Sequence, residues 1–433
     1  MARGRYAWHL AWRGMRRHPR TSAMVVVVMA LGLASCMSVL AVFHALTADP
    51  VAGRHGETRT VMFRTKDEKP DPLRAVMQAS LVQQVVDRLQ DQTLAAVAYG
   101  TTRVQPATAP TDAAGDAETA VMFATSRIPA VFGIELLRGQ WWTAADDHDG
   151  SPVAVIDVAT AQRLFGTDNV LGKSIRIDDK RFRIIGVHAN WAPALKFYAQ
   201  NRKQYARGMA QVMAPFSAGD GVDMQMGQMS CPLGNMSDAW KQCSFSQLWA
   251  YDLDATQRQR LLQTATQVAQ DFDKPPPGVT PVVYQPSLLT VREWLVLQHT
   301  VPDSVRAYVW VALAFLALCL LNAAGVLAAR FLRRGAELGV RRALGASRRD
   351  VFFQHLIESG SLSAVAGAIA LPLMLGAFAL MRTQSIPYAA LIRFHPGTFI
   401  ALCAATVLTG LAVGVYPAWR AAVVPPALQV KQN

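Results

Sequence analysis

The residues in this chain that could do chemistry form incomplete sets. Gly172-Lys173-Ser174 has the ending of a phosphate-binding loop, in which backbone amides cradle a phosphate and the lysine reaches it. The glycine that must open such a loop is replaced by Thr167, and Gly166 stands one residue too early. Asp146-Asp147-His148-Asp149 offers cation ligands, but four adjacent polar residues read more simply as a solvated turn. HExxH, GxSxG and CxxC patterns are absent, and the nine histidines lack metal-ligand spacing. The sequence therefore predicts no catalytic residue, no metal site, no cofactor, and a chain that is not itself an enzyme. Of five cysteines, Cys36, Cys319 and Cys403 sit in apolar runs and read as packing residues. Cys231 and Cys243 lie outside those runs, and in an oxidising compartment they are candidates for a disulfide closing a short loop.

The elements that must hold these residues are dominated by apolar runs. The chain has 433 residues, 52% hydrophobic and 17% charged, against about 25% charged for a soluble domain. Thr21–Ala48, Ala307–Ala329, Ser359–Met381 and Phe394–Trp419 contain no Asp, Glu, Lys or Arg. About 20 apolar residues cross a hydrocarbon layer of ~30 Å. The sequence predicts an integral membrane protein with four transmembrane helices (one, then three) and a large α+β extracytoplasmic domain after the first. The predicted organisation is a cytoplasmic amphipathic helix at 1–20, a first span at 21–46, an outer domain at 47–306 and a second span at 307–329. An inner segment at 330–358 follows, then a third span at 359–381, a short outer loop at 382–395, a fourth span at 396–419 and a cytoplasmic tail at 420–433. A signal-peptide h-region is only about 7–15 residues long, so the first run reads as an uncleaved anchor.

Charge orients these spans. Residues 1–20 hold six arginines and no acid, and residues 330–358 hold seven arginines and three acids. The outer block 47–306 carries 26 basic and 27 acidic residues. Short cytoplasmic segments collect arginine and lysine, and long domains are largely exempt. Both termini and the 330–358 segment are placed inside. The net charge of +13 is thus topological and excludes a nucleic-acid partner. No charge lies inside the predicted spans, which disfavours an ion-coupled carrier. Small residues mark packing faces: Gly410 and Gly414 in the fourth span, Gly360, Ala364 and Ala368 in the third. Pro372 is expected to kink the third span.

Within the outer block, Ala79–Gln92 and Ala255–Phe272 read as helices, and Val61–Arg64, Ala120–Thr125 and Val153–Ile156 as strands. Ser174–Ile177 and Phe182–Val187 alternate around Asp178-Asp179-Lys180 as a hairpin. The Met- and Gly-rich stretch 217–237 reads as a long loop.

The inner segment reads RRGAELGVRRALGASRRDVFFQHLIES, from Arg333 to Ser359. Glu337, Leu338, Gly339, Val340, Arg341, Arg342, Ala343, Leu344, Gly345 and Ala346 resemble the signature of the MacB/FtsX-type ABC transporter permeases. FGIELLRGQWWTAADD (Phe132–Asp147), AQRLFG (Ala161–Gly166) and VLGKSIRIDDKRFRIIGV (Val170–Val187) resemble that family's periplasmic core domain, and YPAWRAAVVPPALQV resembles its ending. The resemblance implies a bacterial inner-membrane permease whose Glu337–Ala346 segment meets a separate ABC ATPase subunit. With a single set of four spans, it implies a second permease copy or paralogue, and it leaves room for a periplasmic adaptor. The arginines could also meet inner-leaflet lipid. Export or efflux is the expected function. The alternative is a mechanotransmitting regulator of a periplasmic hydrolase or of a peptide-sensing complex.

Overall fold

Alternating and continuous apolar runs in the outer block collapse into one mixed sheet. The computed structural model describes residues 19–47, 54–63, 76–109, 118–191, 210–226, 243–272, 285–298, 303–333, 347–384 and 396–423, with 51, 193, 195–199, 229, 240, 301, 392 and 394. Two units separate, Thr47–Val301 and the remainder.

The first unit begins with β1 (Thr58–Met62), β2 (Met77–Gln78), helix α2 (Ala79–Arg88), β3 (Leu94–Thr102), β4 (Val104–Pro106) and β5 (Thr119–Ala124). Then come α3 (Ile128–Phe132), β6 (Leu136–Gly139), α4 (Ala144–Asp149), β7 (Val153–Asp157) and α5 (Val158–Phe165). They are followed by β8 (Ser174–Ile177), β9 (Lys180–His188), β10 (Val212–Pro215), a 3-10 turn at Phe216–Gly219 and β11 (Gln225–Met226). The unit closes with β12 (Ser244–Tyr251), α6 (Ala255–Phe272), β13 (Ser287–Thr290) and α7 (Val291–Leu297). The label α1 belongs to Pro19–Thr47 of the other unit.

The strands run in the order β13-β1-β12-β3-β5-β10-β7-β9-β8-β4, with β11 on β3, β2 on β12 and β6 on β9. The β5–β10 and β7–β9 pairs are parallel, and the other pairs are antiparallel. Helix α2 puts Ala79, Val82 and Val85 onto one core, and α6 adds Leu261, Ala265, Val268 and Ala269. Helix α6 and the 174–188 hairpin lie where the sequence puts them, and the 120–125 and 153–156 strands match to within a residue. The stretch 217–237 is not all loop. It contains part of the 3-10 turn and β11, which pairs Gln225 with Thr101.

The other unit contains α1 (Pro19–Thr47), α8 (Asp303–Arg333), α9 (Arg348–Thr383) and α10 (Pro396–Val423). Among the described residues three helices are long and apolar enough to cross a membrane: Pro19–Thr47, Asp303–Ala329 and Leu356–Thr383. In α10 the apolar run among the described residues is Pro396–Leu408. Most of α1 is buried in the chain, while α8 and α9 expose most of their surface. Near its start α8 turns Tyr308 and Trp310 outward, 58% and 74% exposed, as residues of an interfacial aromatic belt would be. Helices α1 and α8 meet at Gly32, where a Cβ would stand 2.9 Å from the Cys319 Cβ.

Candidate functional site

The residues singled out as a coupling element, Glu337 to Ala346, lie outside the described residues, and so does Cys231. What the structure gives is their frame. Helix α8 ends at Arg333 and α9 begins at Arg348, so the segment joins two long apolar helices. Arg348 and Arg349 open α9, at the helix end whose partial positive charge disfavours cations.

One acid qualifies the sequence reading of charge-free spans. The apolar part of α9 starts at Leu356, and Glu358 within it is only 1% exposed. Its own carbonyl accepts from Ser361 Oγ at 2.8 Å. The sequence reading began the span one residue after this glutamate and so missed it. Gly360 and Gly367 of α9 face α10. A Cβ at Gly360 would lie 3.1 Å from Leu411 Cδ2 of α10, and one at Gly367 would lie 3.2 Å from Cys403 Sγ. Ala364 and Ala368 are exposed in the single chain. Gly410 and Gly414 fall in the backbone of α10.

In the outer unit the motif residues have structural work. Gly133 ends α3 with φ +68°, and Arg54 donates to the Val131 carbonyl at 2.6 Å and to that of Ala130. Gly139, at φ +80°, is where β6 crosses β9, and a Cβ there would run into the Ile185 carbonyl. Thr143 and Asp146 form a capping box at the start of α4, which holds Asp146 below the usual carboxylate range through the Thr143 amide and hydroxyl. Asp147 is not the solvated residue expected. It is 4% exposed and accepts from Trp142 Nε1 at 2.9 Å and from the Ser126 amide at 2.5 Å. Burial outweighs those donors and pushes it up to about 6. The missed signal was Trp142, an indole donor five residues upstream. Gly172 (φ +79°) and Asp178 (φ +53°) shape the 174–188 hairpin, and Lys173 lies over the Phe165 ring. Lys173 therefore belongs to the hairpin's packing.

Cys243 is buried and disulfide-bonded, while Cys36, Cys319 and Cys403 are free. An aromatic cluster of Phe132, Trp191, Phe197, Tyr198 and Trp249 closes one part of the core, with the Phe132 and Trp191 rings stacked at 5.4 Å. Trp294 of α7 donates to the Phe197 carbonyl at 2.8 Å. Burial raises Tyr99 to about 12 and lowers Lys196 to about 8. Among the described residues no three His, Cys, Asp or Glu gather as metal ligands.

Comparison with known proteins finds two family domains in the chain. Residues 22–229 match the MacB-like periplasmic core domain, and residues 309–426 match the FtsX-like permease C-terminal domain. The macrolide export ATP-binding/permease protein MacB of Pasteurella multocida is 24% identical over 314 residues, covering 69% of this chain and 40% of that one. The pyoverdine export ATP-binding/permease protein PvdT of Pseudomonas entomophila is 25% identical over 304 residues, with the same coverage of 69% and 40%. The chain thus spans about 40% of the length of these relatives. The crystal structure of the periplasmic region of MacB from Actinobacillus actinomycetemcomitans aligns with TM-score 0.34 and 13% identity, covering 54% of this chain and 89% of that one. With a MacB-like core domain joined to an FtsX-like permease domain, the chain belongs to the MacB/FtsX-type family of ABC transporter permeases.

Proposed function

We propose that this chain is the permease subunit of a MacB/FtsX-type ABC exporter, driven by an ATPase on a separate polypeptide. The observation that carries the reading is the pairing of the two family domains in one chain, with the arginine-rich 334–347 segment between long apolar helices. In this reading α1, α8, α9 and α10 all cross the inner membrane, both termini and Glu337–Ala346 face the cytoplasm, and Thr47–Val301 faces the periplasm.

The physics supports transmission of movement rather than a pore. Helices α8 and α9 have 31 and 36 residues. At 1.5 Å per residue they reach about 46 and 54 Å, longer than the ~30 Å hydrocarbon layer. Their extra turns would extend beyond the bilayer, with Pro372 inside α9. Gly339 and Gly345 would permit close backbone approach to the ATPase, and Arg341, Arg342, Arg348 and Arg349 would meet acidic groups on it or on inner-leaflet lipid. ATP-driven closure of the partner would push this elbow, and the rods would carry the push to the outer domain, which moves the exported molecule. A second permease copy completes the transporter. A periplasmic adaptor fits the outer domain of such an assembly.

The test is reconstitution with the partner ATPase in lipid nanodiscs. Glu337→Lys and Gly345→Val are expected to reduce the permease-stimulated ATPase rate at least tenfold while the complex stays membrane-inserted. Full stimulation by both variants would overturn the coupling role. Capture of a cell-wall hydrolase by the outer domain, with no exported molecule, would favour the regulatory alternative.

A further inference from the structure

Three buried polar side chains lie at and just beyond the carboxyl ends of β7 and β9. Asp157 ends β7 and His188 ends β9, and the two are direct neighbours in the parallel pairing. Thr160 lies one turn into α5, its amide held by Asp157 Oδ1 at 2.7 Å. All three residues are 0% exposed. Asp157 Oδ2, Thr160 Oγ1 and His188 Nε2 each lack a hydrogen-bond partner. Buried polar atoms are rarely left so. His188 Nδ1 stands 2.6 Å from the Ala189 carbonyl oxygen, which can only accept, so Nδ1 carries the proton of the neutral ring. Nε2 is then the ring's acceptor, and Asp157 is the charged neighbour acting on the ring. The ring of Trp141 covers His188, with centroids 6.2 Å apart and planes 21° apart.

We propose that His188, with Asp157 and Thr160, is a buried proton-binding site of the outer domain, and that acid fills it by opening the cover formed by Trp141 and the β6–β9 edge. The ligand is a proton, and the reason is linkage: a ligand shifts a protein toward the state that binds it better. In the closed form burial holds His188 below its ordinary range, while the Ala189 backbone, the Asp157 carboxylate and the Ala210 backbone act in the opposite direction. A ring that regains water binds the proton more tightly. The closing contribution is therefore complete above the ordinary histidine value of 6.5 and is lost as pH falls through the lowered value.

Other charges on the neighbouring elements are engaged elsewhere. Arg138 of β6 pairs with Asp168, and Arg163 of α5 donates to the Thr119 hydroxyl. Asp157 is the side-chain charge acting on the ring among the described residues. A periplasmic domain experiences the external pH, so such a site would make its β6–β9 edge responsive to acid.

Hydrogen–deuterium exchange of the full chain in detergent, at about pH 7.5 and about pH 5 and corrected for intrinsic rates, tests this. Peptides over 136–142 and 183–191 are expected to exchange several-fold faster at the lower pH in the wild type and equally at both in His188→Gln. Equal acid acceleration in the two proteins, or none in the wild type, overturns the proposal. Asp157→Asn keeps the α5 cap and removes the charge. By the same linkage, losing the carboxylate that favours the charged ring in the closed form should leave the opening midpoint in place or move it up, and a midpoint moved down also overturns the proposal.

Discussion

Several buried hydroxyls are satisfied differently in the two units. In the membrane unit Ser38, Ser363 and Thr406 donate to Ala34, Ser359 and Leu402, carbonyls one turn back in the same helix. These hydroxyls ask nothing of a neighbouring helix. In the outer unit buried donors tie separate elements together: Ser246 to Met77 at 2.7 Å, Thr60 to Leu248 at 3.1 Å, and Trp294 to Phe197 at 2.8 Å. Helices satisfied within themselves can shift along one another without breaking such bonds, whereas a cross-tied sheet moves as one body. That difference suits a machine in which rods deliver movement to a rigid outer piece.

The comparison predicts a ranking of damage. Gly139→Ala should be the most harmful, costing about 3 kcal/mol or more, because it combines a positive φ with a collision at the Ile185 carbonyl. Chemical denaturation followed by tryptophan fluorescence would show it, and a loss under 1 kcal/mol would mean that β6 can move aside. Next comes pH. Asp147 has a folded value of about 6 against an ordinary 3.8, so its contribution to stability is complete below the ordinary value and lost as pH rises through the folded one. Asp147→Asn should remove a decline of the order of 2 kcal/mol between acid and neutral pH. Thermal unfolding over that range checks this, and an unchanged slope would show that its donors outweigh its burial.

Trp142→Phe should cost about 1 to 2 kcal/mol by removing the indole donor from a buried carboxylate. The smallest effects sharpen the contrast most. Ser246→Ala should cost about 1 kcal/mol, since it leaves the buried Met77 carbonyl without this donor. Ser363→Ala should cost less than about 0.5 kcal/mol, because the hydroxyl serves only its own helix. Equal losses in both units would erase the distinction.

Much of this architecture is legible in the sequence because membrane spans and amphipathic hairpins leave periodic or continuous apolar patterns. Helix α6, the 174–188 hairpin and the long apolar helices carry such signals. The central strands β3 and β12 do not. LAAVAYGTT and SFSQLWAY are buried along nearly their whole length, and a strand covered on both faces loses the alternation that marks it. Asp147 reads as solvent-exposed because its neighbours are acids and a histidine, and only the fold turns it inward to Trp142. Glu358 escapes because it adjoins the uncharged run instead of interrupting it. The arginine-rich 334–346 segment is the reverse case, plain in the sequence and outside the described residues.

The central claim is that the 334–347 segment and the sheet lie on opposite sides of the bilayer. Single cysteines in place of Asp149 and of Ser347, both exposed, in chains lacking the free native thiols would be treated with a membrane-impermeant maleimide. Asp149→Cys should label in intact spheroplasts and Ser347→Cys only after lysis. Labelling of both positions from the same side would contradict the account.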